Sequence, residues 1–436
     1  MSRARASSLE AHLDCDFLPE RQPVCVGRLA EDRGSIRFEY TEDWIARDTA
    51  FQIDPALTLH KGTFHPQPDV GNFGVFLDSS PDRWGQTLMR RREALEAKQE
   101  GRKAGTLYAW DFLLGVQDAT RQGALRFKEP GGDSYLDDHP LPAPPITSLR
   151  ELEAVAYELS ARKIDDLDKL AKWLSVLVAP GSSLGGARPK ANFMMENGDL
   201  WIAKFPAQED ARDVAAWESV MHDLARASGV TVPEGKLLRF GSEHHTFISK
   251  RFDRAGGRRR HYCSAMTLLG KKDGDEGSYL EIIEALVRFG DRSTVDSHLR
   301  QLFRRVVFNV LAGHRDDHLR NHGFLLGAEG WRLAPAFDLN PIIDRPDHVL
   351  AIDEANHQPD LEIVMATHGE YRLKSGEAKT IVDEVRKAVA GWRARARRSG
   401  ISAAEIELVQ AAFASVGGEA PAATVPTSRR SKTARR

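Results

Sequence analysis

The stretch from Leu299 to Asn321 constrains this chain more than any other. Leu299, Leu302, Phe303, Val306, Val307, Val310 and Leu311 make a helix that is apolar on most of its sides. Such a helix belongs at the centre of a helical domain. It runs into His314-Arg315-Asp316-Asp317-His318-Leu319-Arg320-Asn321, bracketed by Gly313 and Gly323. The brackets make this charged stretch a loop. His314, His318 and His322 stand four apart and would form a metal-binding face only if the helix continued through them. A short hairpin follows, Gly323-Phe324-Leu325-Leu326 and Trp331-Arg332-Leu333-Ala334, with Gly327 and Gly330 bounding its turn. It delivers the chain to Pro335-Ala336-Phe337-Asp338.

Upstream lies a clearer hairpin. Asn192 to Met195 and Leu200 to Phe205 flank Asn197-Gly198, the preferred pair for a tight primed turn. The spacing of Val214, Trp217, Met221, Leu224 and Ala225 predicts a helix over 212–228 with a buried face. Glu218 projects from that same face, and a carboxylate there needs a partner. Lys204, at the end of the preceding strand, is the natural one, and Arg212 is the alternative partner.

These elements contain what phosphoryl transfer from ATP requires. A glycine-rich backbone covers the phosphates, a lysine neutralises them and a carboxylate fixes the lysine. A second carboxylate orients the acceptor hydroxyl, while an Asn and an Asp hold the metal. Asp316 and Asn321 have the D-x-x-x-x-N spacing of the base and the metal Asn, and Asp338 follows one hairpin later. Ser182 to Lys190, with Gly185 and Gly186 at its centre, can cradle phosphate oxygens with backbone N–H groups. The spacing of Asp316 and Asn321 alone is weak evidence, because it also fits a solvated charged loop. The ordered set of five elements is specific.

Composition removes other classes. With a formal net charge of −2, no whole-protein field draws the chain to nucleic acid or an anionic membrane. Cys15, Cys25 and Cys263 cannot build a disulfide framework and lack the close spacing of a zinc site, which suits a reducing cytoplasm. The first ten residues lack the apolar core of a secretory signal. No apolar run approaches the roughly 20 residues of a spanning helix, so no membrane association is expected. Residues 129–148, rich in Pro, Gly and Asp, read as a linker or an exposed loop, and 179–183 as a second break. From Gly417 the chain lacks apolar periodicity and carries five basic residues, which predicts a disordered tail. Arg258-Arg259-Arg260 reads as an exposed charge run in a turn. Val24 to Leu29 and Ile36 to Tyr40 read as strands of a small N-terminal α+β module, with a helix starting at Pro81-Asp82.

Taken together, GSSLGGARPKA, WIAKFP, FISKRFDR, HYCSAMTLLG, DDHLRNHGFL and APAFDLNP resemble the HipA family of bacterial toxin kinases. The earlier FGVFLDSSPDRWGQTLMRR resembles that family's N-terminal module. The resemblance covers roughly residues 20–415. It implies an α+β protein: an N-terminal α/β subdomain (1–148, with its linker) on a bilobal protein-kinase-like fold. The kinase part divides into an N-lobe-like region (149–253) and a largely helical C-terminal lobe (254–416), followed by the tail (417–436). The implied cofactors are ATP and Mg²⁺.

Residue by residue, the resemblance makes Asp316 the catalytic base and Asn321 and Asp338 the Mg²⁺ ligands. Lys204, fixed by Glu218, binds phosphate, and Gly185, Gly186, Ala187, Arg188 and Lys190 form the phosphate loop. His318 and Arg320 shape the catalytic loop near the phosphates. Lys250, Arg251 and Phe252 form the hinge beside adenine, with Asp253 near the ribose. Ser183 matches a loop serine whose autophosphorylation accompanies inactivation. Two positions depart from the family pattern: His314 replaces a small polar Asn, and Lys250 replaces an acidic residue at the hinge. The implied activity is a serine/threonine protein kinase that arrests growth by modifying a cellular protein, with an aminoacyl-tRNA synthetase as the expected target class. The implied partner is a small DNA-binding antitoxin similar to HipB, which would make any DNA contact indirect. The competing readings are a non-catalytic DNA-bound corepressor module and a divergent Mg²⁺-dependent nuclease.

Overall fold

A computed structural model describes residues 6–137, 143–160, Leu174, Leu177 and 188–417. The expectations for Ser183, Gly185, Gly186, Ala187, the break at 179–183 and the tail beyond Gly417 lie outside the described residues.

The N-terminal sheet is antiparallel, in the order β3-β2-β1-β4: β1 Ser8–Leu13, β2 Val24–Asp32, β3 Ser35–Tyr40 and β4 Leu125–Lys128. Strands β2 and β3 stand where alternation predicts them, with Ile36, Phe38 and Tyr40 buried on one face. Gly27 is required in β2, since a Cβ there would sit 2.3 Å from the Phe38 ring. The sequence reading did not identify β1 or β4 as strands; they pair across more than a hundred residues, where no local period signals contact. Pairing of β1 with β2 sets Cys25 opposite His12, and their ligand atoms and one from Glu10 lie within 4.8 Å of one another. The cysteine spacing alone carried no sign of this group, and the Lys128 ammonium already stands 3.8 Å from Glu10.

The second sheet runs β5-β6-β8-β7: β5 Lys190–Met194, β6 Leu200–Lys204, β7 Gly235–Leu238 and β8 Thr246–Lys250. Gly198 turns the β5–β6 hairpin at φ +82°. Helix α1, Arg83–Gln99, was expected in the N-terminal module. Its Trp84, Leu88 and Leu95 instead share a core with Phe193, Trp201 and Ile248 of this second sheet, and with α2, Leu149–Ser160. Each such side chain contributes about 1.5–3 kcal/mol on burial, so α1 is held by the sheet that carries Lys204. Helix α3, Val214–Ala227, buries Ala216, Trp217, Val220, Met221 and Leu224 in the other, larger core.

That larger core joins the N-terminal sheet to α4, Tyr279–Phe289, and α5, Val295–Ala312. Helix α5 is the expected central helix, and Gly313 ends it at φ +67°, where a Cβ would lie 2.2 Å from the Ala412 carbonyl. Helices α6 Ser375–Val389, α7 Trp392–Arg398 and α8 Ala403–Val409 close the lobe. Trp392 stacks on Phe413 with ring centres 4.2 Å apart, and Trp217 of α3 packs beside both rings. Glu405 of α8 accepts from the Trp217 indole at 2.8 Å and from the Asp213 N–H at 2.9 Å, which fixes the start of α3.

The arginine run is not a solvated turn. In the small hairpin β9 Arg254–Ala255 and β10 Arg258–Arg259, Arg259 is buried and pairs with Asp118 at 3.0 Å. Arg258 donates to the Cys15 and Glu20 carbonyls, and Arg260 meets Asp16 at 3.1 Å. A third sheet, β11 Tyr262–Ser264, β12 Gly323–Gly327 and β13 Gly330–Leu333, contains the expected second hairpin. Among the described residues no helix is long and apolar enough to cross a membrane.

Candidate active site

Strand β6 ends at Lys204, whose ammonium points between the sheet and α3. Its Nζ lies 2.5 Å from Glu218 Oε1, which is the partner that the apolar face of α3 demanded. The same ammonium also binds Asp338 Oδ1, joining the two lobes through one cation. The two carboxylate side chains are 6% and 23% exposed. Burial alone would raise the Asp338 carboxyl, but the Lys204 and Lys190 ammoniums hold it at about 2. Burial pushes Glu218 up, with Lys204 opposing and the Asp338 charge adding to the rise. Desolvation would lower Lys204, yet its two carboxylates override it and keep the ammonium charged. Asp338 holds φ +59°, a left-handed conformation that costs a non-glycine residue energy and is tolerated best by Asp and Asn.

Across the cleft, the loop after Gly313 carries Asp316, whose side chain is about half exposed and lies 3.4 Å from Arg345. Asn321 donates from Nδ2 to the Asp316 carbonyl at 2.7 Å, so the D-x-x-x-x-N spacing closes the loop on itself. The adjacent Asp317 is fully buried. It accepts from Tyr279 Oη at 2.6 Å and from the Val349 N–H at 2.9 Å, and meets His348 Nδ1 at 2.8 Å. Burial opposes its charge, but His348 and Tyr279 hold the Asp317 carboxyl at about 2. Sequence reasoning missed this anchor. The only local signal was the doubled Asp-Asp, which does not say which carboxylate turns inward. The loop is not helical through the histidines, and among the described residues His314, His318 and His322 form no common ligand group.

All the described site residues expected from sequence line one cleft of about 1120 Å³, but their engagements differ. Arg188 forms a forked pair with Asp210 at 2.7 and 2.6 Å. Lys250 pairs with Asp199 at 2.5 Å. His318 lines the wall, and Arg320 meets Asp273 at 2.8 Å. Phe252 packs its ring 5.6 Å from Phe337, leaving an aromatic surface at the expected adenine position. Asp253, expected near the ribose, lines the cleft with its carboxylate already engaged. It is 2% exposed, and its carboxylate oxygens are taken by Arg251 (2.6 and 2.9 Å), Arg254 (2.7 Å) and the Gly123 N–H (2.8 Å). This carboxylate rivets the segment after β8 to the N-terminal module. Lys190 is likewise engaged, 2.9 Å from Asp82 at the start of α1.

Residues 182–392 match the HipA-like C-terminal domain and residues 22–109 the HipA N-terminal domain. The chain belongs to the HipA family. A Haemophilus influenzae relative with a provisional kinase name is 27% identical over 190 residues, covering 38% of this chain and 54% of its own length. The chain thus spans about half of that relative. The serine/threonine-protein kinase toxin HipA of Shewanella oneidensis is 24% identical over 373 residues, 78% of this chain and 76% of the toxin. The solved complex of Shewanella oneidensis HipA with HipB and operator DNA contains a similar fold. Its TM-score is 0.65 at 18% identity, covering 94% of this chain and 95% of that one. The architecture is therefore the α+β, bilobal kinase-like fold expected from the sequence.

Proposed function

We propose that this HipA-family chain is a Mg-ATP-dependent serine/threonine protein kinase of a toxin–antitoxin system. The observation that carries this reading is Lys204 held jointly by Glu218 and Asp338, facing a loop closed by Asp316 and Asn321 in the same cleft. The donor set fits a hard divalent cation: Asp338 stays ionised, Asn321 offers an amide, and Asn340 Oδ1 is buried on the cleft wall with no hydrogen-bond partner among the described residues. Asp338 and Asn321 would hold Mg²⁺, which when bound neutralises charge on the phosphates. Lys204 binds and orients the phosphates, and Glu218 keeps that lysine in place. Asp316, open to the cleft mouth, accepts the proton of an incoming serine or threonine hydroxyl. Arg345 steadies the Asp316 carboxylate from one side. Ser183 serves as the autophosphorylated residue in this reading. The partner is a small DNA-binding antitoxin like the HipB of the Shewanella oneidensis complex.

Transfer of labelled γ-phosphate to protein in a bacterial lysate tests the proposal. Label that requires Mg²⁺ and disappears with Asp316→Ala supports it. Metal-dependent cleavage of DNA without ATP would overturn it in favour of a nuclease.

A further inference from the structure

The two lysines of this cleft stand directly opposite each other. Lys190 on β5 pairs in register with Lys204 on β6, so both side chains project from the same face of the sheet. Like charges in this arrangement repel, and here both are nearly dry: the side chains are 4% and 12% exposed. Each has its own carboxylate. Lys204 takes Glu218 and Asp338 from the two lobes, whereas Lys190 takes Asp82 from the start of α1.

Asp82 precedes α1 and does two jobs with two oxygens. Oδ1 accepts the Gly85 N–H at 2.7 Å and caps the helix, while Oδ2 lies 2.9 Å from the Lys190 ammonium and is 5% exposed as a side chain. Two residues on, the Trp84 indole donates to the Lys190 carbonyl at 3.2 Å. The first turn of α1 therefore grips Lys190 at both its ammonium and its backbone. Neighbouring Pro81 and Arg83 line the same cleft.

We propose that Asp82 is a positioning residue for the nucleotide phosphates, acting through Lys190 as Glu218 acts through Lys204. The first turn of α1 thereby supplies a further wall of the ATP site. This rests on the nucleotide reading of the cleft. Without Asp82, the Lys190 ammonium loses the carboxylate 2.9 Å away, and with it the geometry that phosphate oxygens require.

Asparagine caps a helix about as well as aspartate, so Asp82→Asn separates the two jobs. ADP with Mg²⁺ is titrated calorimetrically into the full chain and its variants, and ATP KM and kcat are measured alongside. Asp82→Asn is expected to weaken ADP binding roughly ten- to hundredfold, the loss of one charge-assisted contact. It should raise KM more than it lowers kcat, whereas misfolding would lower kcat alone. Lys190→Met should weaken ADP to a similar degree, and the double variant no further. The double variant also removes both buried charges, so the comparison survives if Asp82→Asn alone does not fold. Two outcomes overturn the inference: Asp82→Asn binding like wild type while Asp82→Ala does not, which makes Asp82 a cap only, or Asp82→Asn binding more tightly, which makes it a competitor of phosphate. Failure of the wild-type chain to bind ADP would instead overturn the nucleotide reading itself.

Discussion

The two walls of the cleft are built on opposite principles. On one, Lys204, Glu218 and Asp338 form a nearly dry charge cluster whose members come from β6, α3 and the segment after β13. On the other, the Asp316 side chain is half exposed and, among the described residues, meets an exposed arginine, although Asp317 beside it is fully buried and tightly bonded. The contrast teaches how such a site divides its work. On the proposed function, the groups that hold phosphate charge are assembled in advance, where low dielectric strengthens them. On the same proposal, the group that meets another protein's hydroxyl stays open, and the residue next to it carries the rigidity.

The comparison predicts how each wall responds to damage. Lys204→Met should have the largest effect, removing the cation that pairs with buried Glu218 and with half-buried Asp338. It should abolish transfer and destabilise the fold by about 3–5 kcal/mol, measurable by urea unfolding. Equal stability of variant and wild type would erase the distinction between the walls. Asp316→Ala should cut transfer by about 10²–10⁴-fold while changing stability by no more than about 0.5 kcal/mol. A large loss of stability would show that the open wall is structural too.

Asp317 sharpens the contrast through pH. Its folded pKa of about 2 lies below the ordinary carboxylate value. The stabilisation is therefore fully present above about pH 4 and is lost as pH falls towards 2. Asp317→Asn should flatten the acid limb of the unfolding curve by about 2 kcal/mol; an unchanged acid limb would remove Asp317 as the anchor. The smallest effect belongs to Arg345→Ala, an exposed partner worth about 0–1 kcal/mol. Its melting temperature should scarcely move, and a shift as large as that of Lys204→Met would contradict the picture of an open wall.

Local pattern made much of this legible. The Asn197-Gly198 turn, the apolar face of α3 and the apolar girth of α5 each carry a period or a turn signature. They located the elements that carry Lys204, Glu218, Asp316, Asn321 and Asp338, while the resemblance implied the single cleft that these residues line. A carboxylate on an apolar helix face predicted its own partner. What escaped were contacts without a local signature. Asp82 and Lys190 are separated by more than a hundred residues, as are the paired strands β1 and β4. Asp253 was assigned to a ligand because nothing near it in sequence revealed that the Gly123 N–H and two arginines take its oxygens. The run at Arg258 looked solvated for the same reason, since Asp118, Asp16 and the Cys15 carbonyl lie far upstream. Helix α1 was assigned to the wrong core because periodicity identifies a buried face and not what covers it.

The central claim is tested most directly by incubating the purified chain with Mg²⁺ and γ-labelled ATP beside its Asp316→Ala variant, then locating label by mass spectrometry. The account predicts phosphate on a serine of the wild-type chain, with Ser183 the expected position, and none on the variant. Equal labelling of both proteins, or no binding of ATP by the wild type, would contradict it.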